Sequence, residues 1–394
     1  MSKKTVLNAA LLIGSMAIAF AVAEAGLRGY RKMQHRYSAE NAQKRAHGWI
    51  REKSQDAFDR EGEFYGRWDE FAKMRYSAYL GYWPASGVTG NGYVTNAQGF
   101  RNVDDVGREK ADGELRVFVT GGSTAWAAGV RQEDTYAVAL EEMLRERLGN
   151  PNVHVFNAGV GAYLSTHERI VVTNKVARLE PDAVVHLSGW NDPYAGYRGY
   201  SVMDDRWDYT SSAAVLGTYH RLFVYDADSA RMMDPGPPKP HEHALATFYY
   251  LDQIYYAKRL EAARRPHQAV VDDFVENLRL AKAAVADDVP YVLALQPTLY
   301  ATEKKLTEWE QLLVTKNEAA TPAYGQYNAD VYALYRAQLP DAMRGLGITY
   351  TDTDGAIAPE PRSVFTDHVH FGDRGNRLLA ERLAQVLEPV LKGR

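Results

Sequence analysis

The sequence predicts an α/β fold built on a parallel central sheet with helices covering both faces. Two observations carry that expectation. From residue 116 onward, short apolar runs at 116–120, 154–157, 183–188 and 291–296 read as strands. Helical patterns recur between them at 135–148, 165–179 and 271–286, and a last helix spans 375–391. The first three strand runs lead into turns rich in Gly, with Ser123, Asn157, Trp190 and Asn191 among them, and ligands in such sheets bind beyond the carboxyl ends of the strands.

Composition narrows the chemistry. The 394 residues are 46% hydrophobic and 24% charged, with 46 basic against 50 acidic side chains. That describes a globular chain without the basic footprint of a nucleic-acid binder. Cysteine is absent. Disulfides, Cys-ligated zinc, iron–sulfur clusters and a thiol nucleophile are therefore excluded.

The first zone, residues 1–27, reads as a membrane segment. Lys3 and Lys4 precede an apolar run over residues 6–23, broken only by Asn8, Gly14 and Ser15. At ~1.5 Å per residue the run spans about 27 Å, close to a bilayer's hydrocarbon core. Ala21-Val22-Ala23 also fits a signal-peptidase site. The run is longer than a usual signal core, so an uncleaved anchor is the expectation. Arg28, Arg31, Lys32 and Arg36 follow it, and by the positive-inside rule they would hold the body in the cytoplasm.

Residues 28–110 form a second zone. Up to about residue 74 it is charge-rich with aromatics at loose helical spacing (Trp49, Phe58, Phe64, Tyr65, Trp68, Phe71), which reads as amphipathic helices. Residues 79–102 are rich in Gly, Tyr and Asn and predict turns and short strands. The third zone, residues 111–394, carries the alternating pattern. It has no internal repeat, and its Pro-rich stretch at 234–240 predicts a loop or short extended segment.

Four motifs lie at strand ends or before the last helix. The first is Gly121-Gly122-Ser123-Thr124, a turn that can expose a serine hydroxyl above a sheet or simply cap a helix. The second is Asn157-Ala158-Gly159-Val160-Gly161-Ala162, whose glycines free backbone N–H groups. The third is Gly189-Trp190-Asn191-Asp192; its side-chain amide can stabilise developing negative charge or merely form a turn. The fourth is Thr366-Asp367-His368-Val369-His370-Phe371, where an Asp three residues before a His can orient its ring.

In this order the four blocks resemble the SGNH hydrolase superfamily, the GDSL-like esterases and acylhydrolases, over about residues 116–391. Gln296-Pro297 and Gly375-Asn376 match the texture of its bacterial members. The resemblance implies a three-layer α/β/α, flavodoxin-like domain and a serine esterase needing no cofactor. Ser123 is then the nucleophile, His370 the general base and Asp367 its orienting partner. The Ser123 N–H, the Asn191 amide and a second-block N–H, from Gly161 or Ala162, would form the oxyanion hole. Two departures stand out. Gly122 replaces the family's usual Asp, and a strict count from Asn157 places the family glycine at Ala162.

Two His-x-His pairs, His241/His243 and His368/His370, invite a metal reading. Asp367 and His370 already have roles in the esterase reading, so no metal is expected. Residues 193–256 form an insertion in which 13 of 64 residues are aromatic. Tyr194, Tyr197 and Tyr200 follow Asn191 and are expected to border the cleft, where rings stack on sugars. Tyr249, Tyr250, Tyr255 and Tyr256 read as packing residues of a helical cap. No apolar stripe suggests an acyl-chain tunnel, so a short acyl group, acetyl above all, on a carbohydrate is the expected substrate. Membrane-anchored members resembling this chain work in the bacterial envelope, some beside a membrane O-acyltransferase. That resemblance implies an inner-membrane anchor and a periplasmic body, against the flanking charges. An O-acetyltransferase acting on exopolysaccharide and a non-catalytic scaffold subunit are the rival classes.

Overall fold

The computed structural model describes residues 11–30, 55–60, 74–199, 246–247 and 261–394, except 78, 91, 321 and 322, and a few isolated positions. Two units are distinguished: Met1–Arg51 with Pro235–Ala263, and Glu52–Asp234 with Arg264–Arg394.

The first unit contains helix α1 (Leu11–Tyr30), long and apolar enough to cross a membrane as an anchor or to serve as a signal segment. Glu24, near its end, pairs with Arg28 at 2.7 Å. It also accepts backbone N–H bonds from Ala246 (2.7 Å) and Thr247 (2.9 Å) and a hydroxyl bond from Thr247 (2.7 Å).

The second unit holds the predicted sheet. An antiparallel hairpin, β1 (Met74–Ser77) and β2 (Gly81–Pro84), precedes it. Strands β3 (Leu115–Gly121), β4 (Val153–Asn157), β5 (Ala183–Ser188), β6 (Tyr291–Leu295) and β7 (Thr349–Asp352) are all parallel, in the spatial order β4-β3-β5-β6-β7. Renumbered from its first strand this is 2-1-3-4-5, the flavodoxin-like order. The apolar runs became strands because both faces are covered: β3, β5 and β6 are buried at every position. Arg116 is tolerated inside β3 because its guanidinium bonds Glu114 and the carbonyls of Leu179 (3.1 Å) and Glu109 (2.9 Å).

Strand β7 escaped the sequence reading. Its Thr-Tyr-Thr-Asp is a short, half-polar edge strand with no apolar run to mark it.

Between the strands run α2 (Ser123–Trp126), α3 (Tyr136–Leu148), α4 (Ser165–Val171) and α5 (Asn191–Tyr197). They are followed by α6 (His267–Lys282), α7 (Glu308–Ala320), α8 (Tyr324–Gly345), α9 (Asp354–Ile357) and α10 (Asp373–Leu391). The β3–β4 crossover runs one way along the sheet and the later crossovers run the other. Right-handed connections therefore put α3 on one face and α4, α6 and α8 on the opposite face. Accordingly α10 packs on α3, whereas α6 packs on α4 and α8. The helix expected over 165–179 is α-helical only to Val171. A π turn follows (Val172–Val176), then a 3-10 turn (Ala177–Leu179) that Glu180 ends at φ +51. The helices of 308–345 were not foreseen. The layered architecture is the one the alternating pattern predicted.

The strand order reverses at β3, so the loops after β3 and β5 diverge above a crevice. That crevice receives the motifs. Several sequence expectations fall outside the described residues: Arg31 and Arg36, Trp49, Phe64, Tyr65, Trp68 and Phe71, Tyr200, the 234–240 stretch, His241 and His243, and Tyr249, Tyr250, Tyr255 and Tyr256.

Candidate active site

Strand β3 delivers the chain to Gly121-Gly122, and α2 starts at Ser123 with its hydroxyl side half-exposed. The short helix is held at its far end by Arg101. This buried guanidinium donates to the carbonyls of Trp126 (2.9 Å), Ala127 (2.8 Å) and Val130 (2.6 Å). A cation there satisfies carbonyls that a helix end leaves open.

The loop before α10 brings the histidine in from 247 residues away. His370 Nε2 lies 2.7 Å from Ser123 Oγ, and its Nδ1 lies 2.6 Å from Asp367 Oδ2. The other carboxylate oxygen accepts the backbone N–H groups of Val369 and His370, each at 2.8 Å. The expected Asp-x-x-His turn is thus closed on itself. It is fixed further by the Thr366 N–H bond to the His370 carbonyl (2.9 Å) and the Leu299 N–H bond to the His368 carbonyl (3.0 Å).

Asp367 and His370 are each only 8% exposed. Burial by itself would raise the Asp367 pKa. The His370 charge and hydrogen bonds, with a smaller contribution from His368, outweigh that and hold the carboxyl well below the usual carboxylate range. Facing an ionised Asp367, His370 Nδ1 is the donor, and in the neutral ring Nε2 is then the acceptor for the serine hydroxyl.

Asn191 opens α5 after β5, and its Nδ2 donates to the Tyr163 carbonyl at 2.7 Å. A side-chain amide has two N–H groups, so this bond engages one of them. The same nitrogen stands 2.4 Å from where a Cβ on residue 122 would fall. Glycine at 122, in place of the acid common in the resembling family, therefore fits the position of Asn191. In the second motif, Asn157 Oδ1 accepts the Gly159 N–H (3.0 Å), and Val160 N–H bonds the Gly121 carbonyl (3.0 Å). These bonds lay the Gly161–Tyr163 turn beside the serine turn. Gly161 is buried and its carbonyl is taken by the Tyr82 hydroxyl. Ala162 is exposed and adopts φ +62, the conformation glycine ordinarily supplies.

Tyr194 and Tyr197 part company. Tyr194 is 42% exposed and meets Tyr324 edge-on at 5.3 Å. Tyr197 corrects the expectation of a substrate contact, because it is 2% exposed. Its ring packs on Tyr324 and Tyr327 and lies under the Arg264 guanidinium at 4.5 Å. Period 3 on a seven-residue helix turns Tyr194 and Tyr197 to adjacent but unequal faces, and the neighbouring helix α8 covers the second. Trp190 extends the aromatic group toward the histidine loop, with the His368 ring 4.6 Å away and Tyr300 stacked at 6.0 Å. Burial lowers the His368 pKa; the Asp367 charge opposes this and the His370 charge adds to it. Among the described residues no three His, Asp or Glu side chains are grouped to hold a metal ion.

Sequence reading missed Tyr82, Arg101 and Tyr163. Nothing local marks them, because each acts on residues 25 to 81 positions away.

No family model matches the chain, and no curated protein shows significant similarity to it. Among solved structures it is similar to a member of the lipolytic protein G-D-S-L family from Veillonella parvula DSM 2008. That pair shares 11% identity over 69% of this chain and 97% of the other, with a TM-score of 0.37. The acetyl xylan esterase AlAXEase matches at 15% identity over 69% and 100%, with a TM-score of 0.33. A two-domain esterase (CEX) active on acetylated mannans matches at 16% over 71% and 50%, with a TM-score of 0.33. At such distances the chemistry of this chain rests on its own residues, and those residues form a Ser123–His370–Asp367 relay, with the Asn191 amide against Gly122, the residue before the serine.

Proposed function

We propose that this protein is a serine esterase that removes a small acyl group, acetyl above all, from a carbohydrate of the cell envelope. The continuous relay from Ser123 Oγ through His370 to Asp367, with distances of 2.7 and 2.6 Å, carries the proposal.

Each step follows from that geometry. His370 Nε2 takes the Ser123 proton as Oγ bonds to the ester carbonyl carbon. The carbonyl oxygen becomes an oxyanion, stabilised by the Ser123 N–H, the Asn191 amide and an N–H of the Gly161-Ala162 turn. Such donors are worth about 3–4 kcal/mol each in comparable sites. The ester C–O bond then breaks and His370 returns its proton to the leaving alkoxide. Water attacks the acyl-serine with His370 as base, and the acid departs as Ser123 regains its proton.

The exposed Tyr194 and the half-buried Tyr300, backed by the buried Trp190, support a sugar as the alcohol side, since such rings offer apolar faces with polar edges. Helix α1 supports attachment at a membrane; in this reading the body lies on the extracytoplasmic side and works beside an envelope O-acyltransferase. A serine-directed fluorophosphonate is expected to label the protein and to fail on Ser123→Ala. The wild type is expected to release acetate from acetylated polysaccharides. Absence of both labelling and p-nitrophenyl acetate cleavage would overturn the esterase. Faster cleavage of long-chain than acetyl esters would overturn the small acyl group.

A further inference from the structure

Ala162 holds a left-handed conformation that a non-glycine residue keeps only where its surroundings over-determine it. Here the determining contacts come from outside the α/β layers. The Tyr82 hydroxyl, on hairpin strand β2, donates to the Gly161 carbonyl. The Tyr163 hydroxyl donates in return to the Tyr82 carbonyl. These reciprocal bonds grip the residues on either side of Ala162, and the two rings pack 5.3 Å apart. Both tyrosines are buried. Burial raises both phenol pKa values, so each hydroxyl remains a donor.

The gripped turn is the one that meets the catalytic crevice. Its Tyr163 carbonyl accepts the Asn191 amide and lies 3.5 Å from the Cβ position of residue 122. A shift of this turn moves Asn191 and the second-motif N–H groups together.

We propose that Tyr82 is a positioning residue for the oxyanion hole, so that the amino-terminal hairpin contributes to the catalytic unit. The inference rests on the esterase reading above. Tyr82→Phe keeps the ring packing and removes one bond. Its kcat for p-nitrophenyl acetate is expected to fall about three- to tenfold with little change in KM, as the loss of one buried hydrogen bond predicts. The rate of fluorophosphonate labelling should fall by the same factor. Tyr163→Phe is expected to act alike, and the double variant to lose less than the product of the two, because both release one turn. A wild-type kcat in Tyr82→Phe, or a raised KM alone, overturns the inference even if the Tm has dropped. Should Tyr82→Phe fail to fold, Tyr163→Phe decides by the same criteria. Ser123→Ala is measured alongside. If it retains activity, the esterase reading fails and this inference with it; if it is inactive, the outcome with Tyr82→Phe stands by itself.

Discussion

The Nδ2 atom of Asn191 stands 2.4 Å from the point where a Cβ on Gly122 would lie. Real side chains do not approach that closely, so the amide and any larger residue at 122 compete for one volume. Gly122→Ala is therefore expected to fold but to displace the Asn191 amide. The kcat should drop about 10²-fold, as a misplacement near 1 Å costs elsewhere. Gly122→Asp, which restores the first motif usual in the resembling family, should be at least as impaired. Steady-state kinetics on p-nitrophenyl acetate checks both, and an unimpaired Gly122→Asp would refute the steric account.

Asp367→Asn tests the relay. The new side chain can still accept the Val369 and His370 N–H bonds through its oxygen. Its NH2 then faces His370 Nδ1 and moves the ring proton to Nε2, where it opposes Ser123. The kcat should fall about 10³- to 10⁴-fold. A variant within tenfold of the wild type would remove Asp367 from the mechanism.

Asp192 makes stability depend on pH. It is buried beside Glu168, His186 and Tyr335, and accepts the Ser165 N–H at 3.0 Å and the Ser165 hydroxyl. Burial, then the Glu168 charge, raises its pKa from 3.8 to about 7. Between those values the folded protein holds a proton that the unfolded chain has released. The Asp192 contribution therefore favours folding less and less as pH climbs through that window. Asp192→Asn lacks this slope. Its Tm relative to wild type should rise by about 3 °C or more from pH 4.5 to pH 7.5. A constant difference across that range in differential scanning calorimetry would contradict the raised pKa.

The segment leading to Asp367 hangs on a buried ion pair. Lys304 Nζ lies 2.9 Å from Glu310 Oε2, both side chains fully buried, and Glu310 Oε1 accepts the N–H groups of Val364 (3.0 Å) and Phe365 (3.4 Å). Glu310→Ala leaves the buried lysine charge without its carboxylate, although the Lys305 carbonyl stays at 3.3 Å, and frees that segment. A loss of about 3–5 kcal/mol in urea unfolding is expected. A loss under about 1 kcal/mol, the scale of a surface pair, would mean that the lysine finds water or another partner.

Much of this molecule was legible in the residues alone. Strands β3 to β6 were readable because a doubly covered strand must be apolar along its length. The Asp367–His370 contact was readable because three residues close one turn. The first three motifs carried their side chains to the crevice because parallel strands all end on the same side, and the fourth reached it from the loop before α10.

Other features could not be read that way. Strand β7 is too short and polar to announce itself, and Tyr197 shares its spacing with Tyr194 but not its exposure. The approach of His370 to Ser123 spans 247 residues, and the grip of Tyr82 on Gly161 spans 79. By itself the sequence determined the alternating layers and which residue types reach the sheet's edge, since those depend on short-range pattern. Only the tertiary structure decided which of them touch, which tyrosine faces solvent and why residue 122 is glycine. Those outcomes depend on how distant elements pack, and packing is set by volume and burial rather than by neighbours in the chain.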